Sequence, residues 1–376
     1  MNFVISSTEL LGHLQAVGKV ISSKNTLPIL DNFLLELGNN ELTVTASDLE
    51  TTLITTISLD NATGEGKLAL EARRMMDILK EFPEQPLTFN IENETFDVDI
   101  LSETGKFSIR GLSGEDFPQL PAIKEDKAAS ITISPEILFQ GINKTLFATA
   151  DDELRPVMNG IFLELSTGDI KFVASDAHKL VRYSRTDAKA EINASFILPK
   201  KPAGLLKNIL PKETNDVKVE FDDKNAFFFL SQYKLICRLV EGNYPSYGSV
   251  IPTENPNKLI VDRLEFHNTL KRVSVFANQA SNLVKLHITG NQMTVSAQDI
   301  DYSISAYERI NCQYDGEEME IGFKSVFLVE ILQNLPSSDI AMELSDPTRA
   351  GLLLPHENEV EGEDILMLLM PMMINT

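Results

Sequence analysis

The chain reads as an α+β protein of three similar domains, each with two helices and antiparallel sheets, and two repeated patterns predict this. The first is a strand that ends in aspartate. Residues 42–48 read Leu-Thr-Val-Thr-Ala-Ser-Asp, 170–176 read Ile-Lys-Phe-Val-Ala-Ser-Asp and 293–299 read Met-Thr-Val-Ser-Ala-Gln-Asp. In each, apolar residues alternate back from the Asp: Ala46, Val44 and Leu42; Ala174, Phe172 and Ile170; Ala297, Val295 and Met293. Strict alternation is the pattern of a half-buried strand. Asp48, Asp176 and Asp299 lie 128 and 123 residues apart, so one unit of ordinary domain size is used three times. The second pattern lies inside the units. Helix starts fall near 7 and 71, 134 and 199, and 262 and 322, spacings of 64, 65 and 60 residues. Each unit is therefore two similar halves, and the domains are expected at 1–125, 128–253 and 254–376.

The elements follow in order. Each unit is expected to open on a helix. The first, 7–21, places Leu10, Leu14, Val17 and Ile21 on one face at helical spacing. The second opens with Ser134-Pro135-Glu136, an N-cap followed by proline at the first helical position, and carries Ile137, Leu138, Ile142 and Leu146. The third starts at Asp262, with Leu264, Leu270 and Val273 following. Hairpins come next: 33–37, 161–165 and 284–288 are their first strands, and Gly38, Gly168 and Gly290 mark their turns. Second helices are expected at 71–81, 199–210 and 322–334. Two Pro-rich polar stretches read as domain joints: 113–130, with Pro118 and Pro121, and 242–258, with Pro245, Pro252 and Pro256.

Composition narrows the class. Hydrophobic residues make up 43% and charged residues 23%, ordinary for a globular chain long enough for a core in each unit. The longest apolar run, 365–374, contains Pro371 and is too short to span a bilayer. The start lacks the basic region of a signal peptide. Cys237 and Cys312 both sit in strand-like runs, so a reduced cytoplasmic protein without disulfides is expected.

The net charge is −22, which by itself argues against a nucleic-acid partner, since phosphate contacts need Lys and Arg. Its distribution argues the other way. The windows 7–24, 71–81, 134–150, 199–212, 262–278 and 322–334 hold 14 basic and 8 acidic residues, and the remainder holds 19 basic and 47 acidic. Positive helices in an acidic body fit a protein that meets a polyanion on one surface and repels it elsewhere. Solvated helix faces account for charge alone equally well. Lys200, Lys201, Lys207 and Lys212, with no acid from 199 to 212, form the densest cluster; Arg73, Arg74, Lys271, Arg272, Lys24 and Lys144 complete the candidate set. Trp is absent, and no zinc-finger, helix-turn-helix or P-loop spacing occurs, so contact is expected with the phosphate backbone and without sequence choice.

Catalytic readings fail on the repeat. Asp176 and His178 would suit acid–base or metal chemistry. The Asp recurs in every unit, however, while Glu50 and Asp301 stand where His178 does. An Asp that ends a strand is expected to bond its own following backbone. His13, His267, His287 and His356 are scattered, neither cysteine has a histidine at motif spacing, and Gly64-Glu-Gly66 is no phosphate loop. No catalytic residue, metal or cofactor is expected.

Six stretches then carry a resemblance: Thr26-Leu-Pro-Ile-Leu30, Asn159-Gly160, Ser175-Asp-Ala-His-Lys-Leu180, Leu239-Val-Glu-Gly-Asn-Tyr-Pro245, Glu318-Met-Glu-Ile-Gly-Phe323 and Met370-Pro-Met372. Their order on the threefold repeat resembles the bacterial beta sliding clamp family, the processivity subunits of replicative DNA polymerase, over the whole chain. The resemblance implies a head-to-tail homodimer closing six domains of the DNA clamp fold into a ring, helices lining the hole and sheets outside. It implies double-stranded DNA, the polymerase alpha subunit, a clamp loader, and other polymerases and repair proteins as partners, with no membrane and no cofactor. It places the protein in the cytoplasm, on the nucleoid during replication. Partner peptides would dock in a pocket between the second and third domains, lined by Met158, Ser175, Ala177, His178, Lys179, Leu180, Pro245, Ser249, Val250, Leu368, Leu369, Met370, Pro371, Met372 and Met373. The dimer contact would join Phe107 and Ile109 to Val275 and Phe276, with Arg272 nearby. The chain departs from the family at Asp151 and Asp152, where neutral polar DNA contacts are usual, and at Ser249 and Met373, where arginine is frequent. The acidic stretch 357–364 reads as an extended loop. A three-domain scaffold that never touches DNA is the alternative.

Overall fold

A computed structural model of the chain describes residues 1–22, 24–25, 27–123, 128–357 and 360–374. The motif stretch 26–30, the joint 113–130, the acidic stretch 357–364 and the end of the third unit each include residues outside these. Six times a strand runs into a helix. Asn2–Ser6 leads into α1 (Ser7–Val17), Gly66–Glu71 into α2 (Ala72–Lys80), Ala129–Ile133 into α3 (Pro135–Thr145), Ala194–Pro199 into α4 (Lys200–Ile209), Asn257–Asp262 into α5 (Arg263–Val273) and Met319–Lys324 into α6 (Ser325–Asn334). The units therefore open on a strand, where a helix was expected. Strands such as Asn2–Ser6, with only Phe3 and Ile5 turned inward, are too short to stand out beside the helical pattern that follows. For the same reason Gly322 and Lys324 belong to a strand and not to α6. Of the helical faces read from spacing, Leu10, Leu14, Val17, Leu138, Ile142, Leu270 and Val273 are buried, whereas Leu264 is exposed and Ile21 lies beyond the end of α1.

The signature strands are Glu41–Ser47, Ile170–Ser175 and Gln292–Asp299, and all nine alternating apolar residues are buried. Each Asp bonds the backbone just ahead. Asp48 Oδ1 accepts from the amides of Glu50 (3.1 Å) and Thr51 (2.7 Å), Asp176 Oδ1 from His178 and Lys179 (both 2.9 Å), and Asp299 Oδ1 from Asp301 (3.0 Å) and Tyr302 (3.4 Å). These are turn carboxylates, the role local chemistry predicts.

The chain divides into two compact units: Met1–Phe139 with Gly204–Leu239, and Gln140–Ala203 with Val240–Thr376. Each is built round one nine-stranded antiparallel sheet. In the first, the strand after the first signature, Thr51–Ser58, pairs with Tyr233–Arg238, and Leu53 faces Leu235. In the second, Lys179–Arg185 pairs with Glu363–Leu369, and Val181 faces Met367. All four facing side chains are fully buried. The sheets thus run through the joints between repeats, and the middle repeat contributes one half to each unit. The first unit also holds a five-stranded sheet ending on Lys106–Arg110, and the second a four-stranded sheet ending on Ile304–Asn311.

One glycine is dictated by packing. Gly141 of α3 lies on Phe172 of the second signature strand, and a Cβ there would meet the ring at 2.5 Å. Gly141→Ala is expected to lower stability by about 1–3 kcal/mol, read as a lower urea midpoint at unchanged slope. An unaltered midpoint would show that the helix can shift freely.

Both cysteines are free and buried, and burial pushes the Cys237 thiol up to about 12. No helix among the described residues is long and apolar enough to cross a membrane.

Candidate partner pocket, edge strands and helix cations

Alternate side chains of a strand face opposite ways, and this sorts the expected pocket residues. In the second unit one sheet face carries Phe172 against α3. On the other, Val173, Leu180, Leu366, Leu368, Leu352 and Ala350 form an apolar cluster, with Phe162, Leu354, Tyr244, Tyr247 and Ile251 partly buried against it. Tyr244 stacks on Phe162 at 4.8 Å, and Tyr247 meets the same ring edge-on at 6.4 Å. The Tyr247 hydroxyl donates to Glu164 Oε2 (2.6 Å). Burial pushes both phenols well above their usual range.

Leu180 and Leu368 of the expected lining belong to this cluster. Pro245, Ser249 and Val250 are exposed on the segment that carries Tyr244, Tyr247 and Ile251. Met370 and Met373 are exposed, and Pro371 and Met372 half-buried. The Met370 amide donates to His178 O and the Met372 amide to Gly322 O, both at 2.8 Å, so this terminal segment is fastened along the sheet. Met158 is buried in the turn Pro156–Met158. Ser175 Oγ donates to Lys179 O (2.9 Å) and accepts from the Ala177 amide (3.2 Å), closing the turn in which Ala177 has φ 74°. His178 stacks on Phe327 of α6 at 5.6 Å.

Two expected lining residues are corrected. Lys179 and Leu369 face each other in the ladder, one step out of phase with Leu180 and Leu368, and both are buried. Lys179 Nζ lies 2.7 Å from Asp176 Oδ2, 3.1 Å from Glu330 Oε2 of α6 and 4.3 Å above the Phe327 ring. A one-residue step along a strand turns a side chain to the other face, which reading contiguous runs overlooks. The same contacts occupy Asp176 with Lys179 and two amides. Among the described residues no group of three or more His, Cys, Asp or Glu side chains could hold a metal ion.

The outermost strands of the two smaller sheets carry exposed apolar side chains. Phe107 is 38% exposed and Ile109 half-buried; Phe107 meets Phe82 edge-on at 5.2 Å. Ile304 is 40% exposed, with Ile300, Tyr302, Tyr307, Val275 and Phe276 exposed too. The repeat explains why. The strand after a signature Asp pairs with the last long strand of the following repeat in both nine-stranded sheets. Its counterpart in the third repeat is Ile304–Asn311, and the last long strand of the first repeat is Lys106–Arg110. Ile304 stands five residues past its Asp, as do the buried Leu53 and Val181. Phe107, opposite Ile100 in its hairpin, matches Leu235, opposite Phe228. Ile300, Tyr302, Ile304 and Tyr307 were not singled out from the sequence, although carrying the joint pattern round the repeat points to them.

The helix cations differ in availability. Lys24, Lys201, Lys271 and Lys212 are exposed, and Lys207 is half-buried. Arg73 lies 3.8 Å from Asp77 and Arg74 3.1 Å from Glu71, both largely exposed; such pairs are weak and yield readily to a phosphate. Lys200 Nζ lies 2.6 Å from Asp151 Oδ2. Two candidates are corrected. Lys144 donates to Asn334 O (3.2 Å) at the C-terminus of α6, where Arg263 also bonds Leu332 O (3.1 Å) and Ser337 O (2.7 Å). Cations satisfy the last carbonyls and the dipole of a helix there, and burial holds the Lys144 ammonium below its usual range. Arg272 is paired through Nε and Nη2, one edge of its guanidinium, with Glu308 of the exposed strand, Nε at 3.0 Å, which holds it toward that strand.

Fold and site together define a threefold repeat protein with exposed apolar side chains on two outer strands and an apolar cluster across one joint. Comparison with known proteins makes this specific. Family models of the DNA polymerase III beta subunit match in three parts: the N-terminal domain over residues 1–121, the central domain over 132–246 and the C-terminal domain over 248–373. The chain belongs to the DNA polymerase III beta subunit family. It is 27% identical to the beta sliding clamp of Pseudomonas aeruginosa, over 99% of this chain and 100% of that one. It is 29% identical to the beta sliding clamp of Synechocystis, over 94% and 96%. Among solved structures, the Pseudomonas aeruginosa clamp bound to griselimycin superposes with TM-score 0.93 at 25% identity, and the DNA polymerase III beta subunit of Thermotoga maritima with 0.89 at 26%, each covering both chains completely.

Proposed function

We propose that the chain is a sliding clamp: a non-catalytic, head-to-tail homodimer of domains 1–125, 128–253 and 254–376 that encircles duplex DNA and tethers the replicative polymerase. The observation that carries this reading is the pair of exposed edge strands, equivalent by repeat to the two strands that meet in each internal joint. Pairing Ile304–Asn311 of one copy with Lys106–Arg110 of the next makes a third joint of the same kind, and two copies joined so at both ends leave neither of these two strands unpaired. An unpaired apolar edge is otherwise a hazard for aggregation. The excess of basic residues on the helices supports a DNA-facing inner surface.

The mechanism is topological. A closed ring cannot dissociate sideways, and backbone contacts that depend on salt let it move along the duplex. Tethering raises the local concentration of the polymerase at the primer end. The polymerase alpha subunit, the clamp loader and other polymerases and repair proteins would dock hydrophobic peptides on the Leu180–Leu368 cluster, with the flexible, exposed Met370 and Met373 that follow its last strand admitting several partners. ATP would be used by the loader, and the place of action is the cytoplasm, on the nucleoid. The protein loaded on nicked circular DNA is expected to be retained through gel filtration and to be released when the circle is cut. Equal retention on circle and line would overturn the topological mechanism, and retention on neither would favour a scaffold that does not touch DNA.

A further inference from the structure

We propose that Asp151 acts as a built-in competitor for phosphate, occupying Lys200 so that each copy of the chain grips DNA through one contact fewer than its lysines allow. The inference rests on the clamp reading and concerns the strength of its hold. Lys200 and Lys201 open α4, and no acidic residue stands in its first turn. Cations at a helix N-terminus oppose the macrodipole, so Lys200 does nothing for the helix itself and attracts an anion. Within the chain that anion is the Asp151 carboxylate, 2.6 Å from Lys200 Nζ.

The loop that delivers Asp151 is fastened at several points. The Asn159 side chain accepts the Asp152 amide (2.9 Å) and donates to Asp152 O (3.0 Å), while Asn159 O accepts the Lys200 amide (3.2 Å). One residue thus holds both the loop and the start of α4. On either side, the Ala150 amide donates to Met158 O (2.9 Å), and Asp152 accepts from the Leu154 amide and from Arg155 Nε, both at 2.8 Å. Arg155 is thereby spent inside the loop, which adds Asp151, Asp152 and Glu153 to the surface beside the lysine. The Asp151 side chain is 81% exposed and that of Lys200 43%. A pair so placed is screened and weak, so phosphate can displace the carboxylate, but only in exchange for it. When the phosphate takes the lysine its counterion is released, but the displaced carboxylate takes up a cation in return, so the net contribution to salt-dependent affinity is lost. A looser grip suits a ring that must slide.

The test uses the full chain and a labelled linear duplex, with affinity read by anisotropy across a salt series. Asp151→Asn is expected to bind about two- to fivefold more tightly at low salt, with a log–log salt slope steeper by about 0.9 per protomer. In a Lys200→Gln background the same substitution is expected to change neither. An unchanged slope in Asp151→Asn overturns the proposal. So does an equal gain with and without Lys200, which would mark a general charge effect. The circle-and-line experiment reports separately on the clamp reading: a protein retained on circles whose Asp151→Asn slope is unaltered loses this inference and keeps that function.

Discussion

Ile304→Asp combined with Phe107→Asp is expected to convert the assembled protein into monomers. Each residue sits on an outer strand at the position where the internal joints bury Leu53 or Val181 and Leu235 or Met367. Burying such a side chain contributes about 1.5–3 kcal/mol, and a ring of two copies would contain each contact twice. A carboxylate there removes that gain and adds the cost of desolvating a charge without a partner. The milder pair Phe107→Ala and Phe276→Ala should shift the equilibrium in the same direction. Because Ile304 and Phe107 are 40% and 38% exposed in the single chain, the substitutions should lower the unfolding midpoint of the monomer only modestly, mainly through the lost contact of Phe107 with Phe82. Sedimentation velocity decides the matter, and a dimer that persists at micromolar concentration would remove these edges from the interface. Retention on circular DNA should vanish together with the dimer.

Docking of a hydrophobic peptide is expected to be lost in Val250→Asp and in Met370→Asp. Val250 is 54% and Met370 42% exposed, so neither supports the core. Val250 lies on the segment whose Tyr247 and Ile251 pack on the Leu180–Leu368 cluster, and Met370 directly follows that cluster's last strand. A charge at an apolar rim leaves either itself or the peptide's side chain badly solvated, and a loss of more than tenfold in affinity for a fluorescent peptide bearing leucine and phenylalanine anchors is expected. Undiminished affinity in both variants would place the docking site elsewhere. Point substitution is preferable to removing the chain from Met370 onward. That deletion also breaks the hydrogen bonds of Met370 to His178 and of Met372 to Gly322, so it confounds loss of docking with loss of structure.

Much of the fold was legible because its signals are local. The alternation before Asp48, Asp176 and Asp299 places nine side chains in the core without reference to any partner strand. The Asp turns follow from the reach of a carboxylate to amides two and three residues ahead. The six helices show in the spacing of residues such as Leu10, Leu14 and Val17. What stayed hidden was non-local or one residue fine. Lys179 and Leu369 look like neighbours of Leu180 and Leu368 in the sequence and lie on the other side of the sheet. Lys144 and Arg272 count as helix cations, yet one closes α6 and the other holds Glu308 of the outer strand. No composition or spacing distinguishes a lysine awaiting phosphate from one already committed.

The sequence by itself determined that this chain is one two-part unit used three times, with helices richer in basic residues than the body that carries them, since periodicity and short-range bonding are properties of contiguous residues. Tertiary structure decided how the sheets pass from one repeat to the next, which side chains share a face, and that Ile304–Asn311 and Lys106–Arg110 are left as outermost strands. Those outcomes depend on register and pairing between strands up to about 190 residues apart, where a slip of one residue turns every side chain over and no local pattern records the choice.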